Sequence, residues 1–269
     1  MLSILPLRLL KTSHLGPTLV VTLVSILLAG SLTSHVKALL IGAAVFTGQL
    51  CVGWTNDLVD EESDRNEGRE DKPIAQGSLP REFVTRSTFV ALILTIALSL
   101  LGPLGVRGGF LHLLGVGCGV AYNFYFKSTL LSPLPYLVAF AALPSSIVLS
   151  QNYVVPIWLI TTGALFGLAA HFANVVKDME NDRIAGVKGL PQLLGSKVSL
   201  FIAGISLIEI AIMLGVVTRN RVVVPLSVIA CIALFTLPKR FSFPLLLLIA
   251  IVDVGVLVSL GSDYLVLRS

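Results

Sequence analysis

Residues 56–68 read NDLVDEESDRNEG, and residues 174–186 read NVVKDMENDRIAG. The second stretch repeats the first at a distance of 118 residues. Each places an Asn, an Asp four residues on, a second Asp four further on, and an Arg directly after it. These are Asn56, Asp60, Asp64 and Arg65, then Asn174, Asp178, Asp182 and Arg183. Glu62 matches Glu180, and Gly68 matches Gly186. Each copy closes a long apolar run. A lone Asp-x3-Asp is common, but the same pattern at the same place on two hydrophobic segments is hard to obtain by chance.

On a helix, positions i, i+4 and i+8 form one drifting stripe roughly 12 Å long. Each copy therefore points a carboxamide and two carboxylates in one general direction. Carboxylates one turn apart repel, at a cost of a few tenths of a kcal/mol per exposed pair, and a cation between them converts that cost into binding. Oxygen donors without His or Cys suit Mg²⁺, which takes one or two carboxylates and completes its shell with water and substrate phosphate. Two such stripes facing each other would hold two Mg²⁺ ions with a diphosphate between them. The plain alternative, a solvated acidic helix end, leaves the duplication unexplained.

The 269-residue chain is 55% hydrophobic and only 13% charged, about half the charge of a soluble domain. Its mean hydropathy is +0.92. This is the composition of an integral membrane protein, and nucleic acid is not expected as a partner. Of the 15 acidic residues, nine fall between Asp57 and Glu82 and three between Asp178 and Asp182, so the acidic chemistry is concentrated at the two motifs. Cys51, Cys118 and Cys231 lie in apolar segments and read as small buried hydrophobes. The opening MLSILPLRLLKTSH reads as a short interfacial lead-in.

Apolar runs long enough to span a bilayer fall at roughly 16–33, 37–56, 83–102, 106–126, 133–150, 154–175, 197–217, 221–237 and 242–260. The fold class expected is all-α, a membrane bundle of about nine helices. Pro133, Pro135 and Pro144 predict a late start and a kink in the fifth. With the N-terminus cytosolic, fourteen Lys and Arg lie inside and five outside, the five being Lys37, Arg107, Arg219, Arg221 and Arg268. That bias predicts both acidic motifs on the cytosolic face. The motifs end spans two and six, which run in the same direction, so the expected repeat is parallel, with halves of about 15–130 and 131–260 around a shared cavity.

Cations surround the motifs. Arg69 and Lys72 follow the first, and Lys188 follows the second. Span four ends with Tyr122, Asn123, Tyr125 and Lys127. Such cations offset the charge of a diphosphate. His171 lies near Asn174 and reads as a structural polar residue, while Asp253 is a lone carboxylate in the last span, a functional candidate by default.

These residues resemble the UbiA superfamily of intramembrane prenyltransferases. The resemblance rests on NDxxDxxxD at 56–64, DxxxD at 178–182, the DKP of 71–73, the GLPQLLG of 189–195 and nine spans. It covers nearly the whole chain, 1–269, as one domain. It implies that Asn56, Asp57, Asp60, Asp64, Asp178 and Asp182 hold Mg²⁺ and a polyprenyl diphosphate over a cavity open to the bilayer. Many members carry Tyr-x3-Lys at the end of helix four; here Lys127 matches, Asn123 stands at the Tyr position, and Tyr122 is beside it. The implied reaction is Mg²⁺-dependent prenyl transfer to an acceptor within the membrane. Asp60, Asp64, Asp178, Asp182 and Lys127 would be catalytic, and Asn56, Arg69, Lys72, Tyr122, Asn123, Asn174 and Lys188 would bind substrate. Two alternatives are phosphoribosyl transfer to a polyprenyl phosphate on the same fold and a cation-coupled transporter, the latter calling for carboxylates buried mid-helix.

Overall fold

The computed structural model describes residues 5–184, 186–220 and 222–265. Arg221 and Arg268, two of the five basic residues assigned outside, lie beyond the described residues, as do residues 1–4 of the lead-in. No β-strand forms among the described residues. In hydrocarbon every backbone polar group needs a partner within the chain, and a helix supplies it locally.

Two helices come first, α1 (Leu5–Lys11) and α2 (Leu15–Gly30), bent by 75° at their junction. Next are α3 (His35–Asn66), α4 (Arg81–Leu101) and α5 (Gly105–Ala121), which runs on into a π-turn at Tyr122–Phe126. The chain continues with α6 (Pro133–Ser150), α7 (Ile157–Val176), the short α8 (Met179–Ile184), α9 (Leu190–Thr218), α10 (Val223–Thr236) and α11 (Ser242–Ser259). Among the described residues each of the nine apolar segments expected from the sequence carries a helix. Seven are long and apolar enough to cross a membrane, the bent pair α1–α2 makes an eighth, and the 14-residue α10 is a shorter apolar helix. The protein is an integral, multi-pass membrane protein.

Packing follows chain order and closes on itself. Each of α2, α3, α4, α5, α6, α7, α9, α10 and α11 contacts the next, and α11 returns to α2. The ring encloses a central cavity to which α3 and α7, four places apart, both contribute. Side chains on the outer face, among them Phe89, Ile93, Phe110 and Ile229, are exposed and apolar, as a lipid-facing surface requires.

Close helix approach depends on small residues. On α7, Gly163 and Gly167 lie against the carbonyls of Phe140 and Tyr136 on α6, the small-xxx-small pattern of membrane helix pairs. Phe140 is four residues before Pro144, so its carbonyl has no helical N–H partner; Gly163 lets α7 pack directly over it. The helix α6 is continuous through Pro144.

Buried clusters then fix the ends. Ala29, Ile41, Leu104, Ile147 and Leu257 are packed together in one. Another joins Leu50 and Trp54 of α3 to Ile74 and Leu79 of the loop after the first motif, which holds that loop against the bundle.

Candidate active site

The first motif lies on one unbroken helix. Here α3 extends ten residues past the expected span end at 56 and reaches Asn66. The second motif differs from the continuous stripe expected. Its α7 stops at Val176, and the Asp178 N–H bonds Val175 O at 3.1 Å before α8 resumes. This tighter i→i−3 turn changes the phase of the helix between Asn174 and Asp182. All three polar residues of the copy still line the cavity.

The two motifs end identically. Gly68 donates to Arg65 O at 3.1 Å, and Arg69 to Asp64 O at 3.0 Å. Gly186 donates to Arg183 O at 3.3 Å, and Val187 to Asp182 O at 2.9 Å. Both are Schellman terminations with glycine in the left-handed region, at φ 65° and 75°. The last Asp of each copy thus offers its backbone carbonyl to the cap, which fixes the point at which its side chain emerges.

Side chains converge from five elements. Asn56, Asp60, Asp64, Arg69, Lys72, Tyr122, Asn123, Lys127, Asn174, Asp178 and Asp182 all line a central cavity of about 320 Å³. Lys127 Nζ donates to Asp60 Oδ2 at 2.7 Å, joining the end of α5 to α3. Lys72 Nζ donates to Asp57 Oδ1 at 2.6 Å and lies 4.0 Å from Asp64. Arg69 is held by a two-pronged bond to Asp71, both arms 3.0 Å, and sits 3.9 Å from Asp64. That bond raises the Arg69 pKa and lowers the Asp71 carboxyl to about 2.

On the opposite wall, Gln192 Nε2 donates to Asp182 Oδ2 at 2.8 Å. Burial pushes the Asp182 carboxyl above its usual range, with Gln192 and Lys127 opposing and Asp178 adding to the rise. The Asp178 carboxylate is exposed on one side, 3.8 Å from Lys177.

Two of the expected site residues lie elsewhere. Asp57 is buried but off the cavity wall, bonded to Lys72 and 3.3 Å from His14. One residue on from Asn56 means about 100° around the helix, which carries it off the stripe. Lys188 is exposed and outside the cavity lining.

Asn123 and Tyr122 take definite roles. Asn123 donates to Val52 O at 2.9 Å and to Thr55 Oγ1 at 3.1 Å, and accepts from Asn56 Nδ2 at 3.4 Å. It ties α5 to α3. Tyr122 packs edge-on against Tyr136 and His171, centroids 5.0 and 5.6 Å away. The π-turn makes this possible. Lys127 N–H bonds Tyr122 O, five residues back, and the extra residue rephases the helix end, a feature common at functional sites. His171 pairs through Nε2 with Ser132 Oγ at 3.0 Å, whose hydroxyl also accepts the Leu190 N–H.

Sequence reasoning missed His14 and Gln192. His14 has a left-handed backbone, φ 52°, and donates from Nε2 to Asn56 Oδ1 at 2.9 Å. Asn56 in turn donates to Asp60 Oδ2 at 3.1 Å. No signal in the lead-in marks His14; Gln192 stood in the quoted GLPQLLG without a role.

The donor set suits a hard divalent cation. The cavity wall offers carboxylate and carboxamide oxygens, with His14 beside Asn56 and Asp57 at the first motif. Among the described residues no three His, Cys, Asp or Glu side chains cluster tightly enough for a protein-only cage. Mg²⁺ takes one or two carboxylates and fills its octahedron with water and phosphate.

A ring of membrane helices around one cavity lined by both acidic motifs sets the class of membrane protein to compare with. A family model described as the UbiA prenyltransferase family matches residues 18–254, and the chain belongs to that family. Its fold is similar to a UbiA homologue from Archaeoglobus fulgidus solved with GPP and Mg²⁺. That likeness has 16% identity and a TM-score of 0.71 over 94% of this chain and 99% of that one. Similar too are digeranylgeranylglyceryl phosphate synthase (17% identity, TM-score 0.65, 95% and 97% covered) and a UbiA homologue from Aeropyrum pernix K1 (15%, 0.64, 94% and 96%). No curated protein matches the chain significantly.

Proposed function

We propose that the protein transfers a prenyl chain from a prenyl diphosphate to an acceptor within the membrane, using divalent metal bound by the two acidic motifs. The observation that carries this reading is that Asp60, Asp64, Asp178 and Asp182, from two halves of the chain, line one cavity together with Arg69, Lys72 and Lys127. The Archaeoglobus homologue binds GPP or DMAPP with Mg²⁺, which supports the same ligand class here. We place the motifs on the cytosolic face from the distribution of Lys and Arg.

Asn56, Asp60, Asp64, Asp178 and Asp182 would hold Mg²⁺, two ions in this reading; when bound, Mg²⁺ neutralises the diphosphate and makes it a better leaving group. Lys127 and Lys72 bond Asp60 and Asp57 at the rim of this acidic group. Their ammonium groups would also donate to phosphate oxygens of a diphosphate held in the cavity. Arg69, fixed in direction by Asp71, presents its remaining N–H groups without further ordering. These fixed donors stabilise charge as the bond between C1 and the diphosphate oxygen breaks and its electron pair leaves with the diphosphate. The allylic cation is shielded from water by the apolar walls, Val52, Val116, Ala139 and Leu143. The acceptor's electron pair then forms the new bond to C1, and the acceptor loses a proton.

The test is a reaction with purified protein, Mg²⁺, a panel of prenyl diphosphates and candidate aromatic and lipid acceptors, read by product mass. A product equal to acceptor plus prenyl chain, less one proton, with pyrophosphate released, is expected. Transfer from phosphoribosyl diphosphate but from no prenyl donor would contradict it.

A further inference from the structure

A second cavity of about 130 Å³ adjoins the first, and Val21, Phe140, Leu143 and Leu247 line both. It lies between α2, α6, α7, α9 and α11, and its walls are carbon almost throughout, including Leu28, Ile147, Phe166 and Leu214. Asp253 of α11 is the exception. It lines this cavity, is only 6% exposed, and its buried Oδ2 has no hydrogen-bond partner. Nearby hydroxyls are committed elsewhere: Ser25 Oγ donates to Val21 O at 2.7 Å and Thr162 Oγ1 to Met213 Sδ at 3.2 Å. A carboxyl placed among hydrocarbon without a partner is expensive to keep. It contributes nothing to packing that Leu would not contribute better.

Its depth is informative. On α11, Phe243 and Leu247 line the first cavity and Asp253 the second. Ten residues of helix from Phe243 to Asp253 span about 15 Å. A five-carbon prenyl unit adds four chain bonds, roughly 5 Å when extended, so a tail entering from the diphosphate end reaches Asp253 after about three units.

We propose that Asp253 sets the length of prenyl chain the protein accepts, acting as a polar stop in an otherwise apolar tail pocket. The proposal rests on the prenyl-transfer reading. A tail that ends short of Asp253 gains from every carbon it buries and leaves the carboxyl room to be hydrated. A longer tail lies against the carboxyl, strips its water and returns no hydrogen bond. Selection by length follows from that penalty and needs no steric wall.

The experiment measures equilibrium affinity of the full-length protein for dimethylallyl, geranyl, farnesyl and geranylgeranyl diphosphates with Mg²⁺. It compares wild type with Asp253→Leu, Asp253→Val and Asp253→Asn, each checked for its thermal midpoint. In wild type, affinity should rise with each unit through farnesyl and drop at least about tenfold at geranylgeranyl. Asp253→Asn, still polar, should keep the drop. Asp253→Leu or Asp253→Val should abolish it while leaving geranyl within about twofold of wild type. A wild type without the drop, or apolar variants that share its profile, would overturn the assignment alone. Absence of binding for every donor in every variant would overturn the prenyl-transfer reading and this assignment with it.

Discussion

Asp60 and Asp178 occupy equivalent places in the two motifs but different surroundings. Asp60 accepts from Lys127 and Asn56, whereas Asp178 is half-exposed with Lys177 at 3.8 Å. Asp60→Asn and Asp178→Asn are each expected to lower turnover at least about a hundredfold, as loss of a strong electrostatic contributor does. Both variants should stay folded, because the swap is nearly isosteric and the partners lie near water. Asp60→Asn should lower the thermal midpoint slightly more, since it weakens an ion pair. Glu209→Gln, exposed on α9 away from the cavity, is the control and should keep nearly full rate. Rates close to normal in the Asp variants would reduce the motifs to solvated helix ends. At this scale the polar residues of the first motif were readable in the sequence because their spacing orders them along one helix. Asp57 was not, because only its angle on α3 shows that it serves Lys72. His14 was not, because its contact with Asn56 depends on the bend between α1 and α2.

The duplicated glycines belong to the elements they end. Gly68 and Gly186 have positive φ and open space around the position of an added Cβ, so an Ala there strains the backbone without a clash. Gly68→Ala and Gly186→Ala should each cost about 1 kcal/mol, read as a lower midpoint. Turnover should fall further than that loss implies, since Asp64 and Asp182 shift with their caps. Equal midpoints in wild type and both variants would contradict the capping role. On α7, Gly167→Val meets the Tyr136 carbonyl and has no room; overpacking of this kind costs about 1–3 kcal/mol or more, and detergent-solubilised variant should melt well below wild type. The all-helical membrane bundle was readable because hydropathy reports any run of roughly twenty apolar residues; among the described residues seven to eight helices are long enough to span. The π-turn at Tyr122–Phe126 and the break before Asp178 were hidden: one residue of phase change alters no composition. The same limit explains why α3 runs on to Asn66, where polar residues continue a helix that hydropathy had ended.

For the whole molecule, the ring order and the shared cavity are what turn two acidic stretches into one site. Counting spans leads to the expectation that spans two and six run in the same direction. The carbon-lined second cavity beside the charged one was not readable in the sequence, because it depends on which faces of α2, α6, α7 and α11 meet. Turnover should be lost in excess chelator and return with Mg²⁺ or Mn²⁺, as an all-oxygen site predicts; undiminished rate in chelator would contradict the metal assignment. The central claim is that both motifs act on one diphosphate. Calorimetric titration of geranyl diphosphate into the purified protein tests it most directly, with and without Mg²⁺, for wild type, Asp60→Asn and Asp178→Asn. The account predicts Mg²⁺-dependent binding of one molecule per chain, lost on substitution in either motif. Two molecules per chain, or binding that survives in both variants, would contradict it.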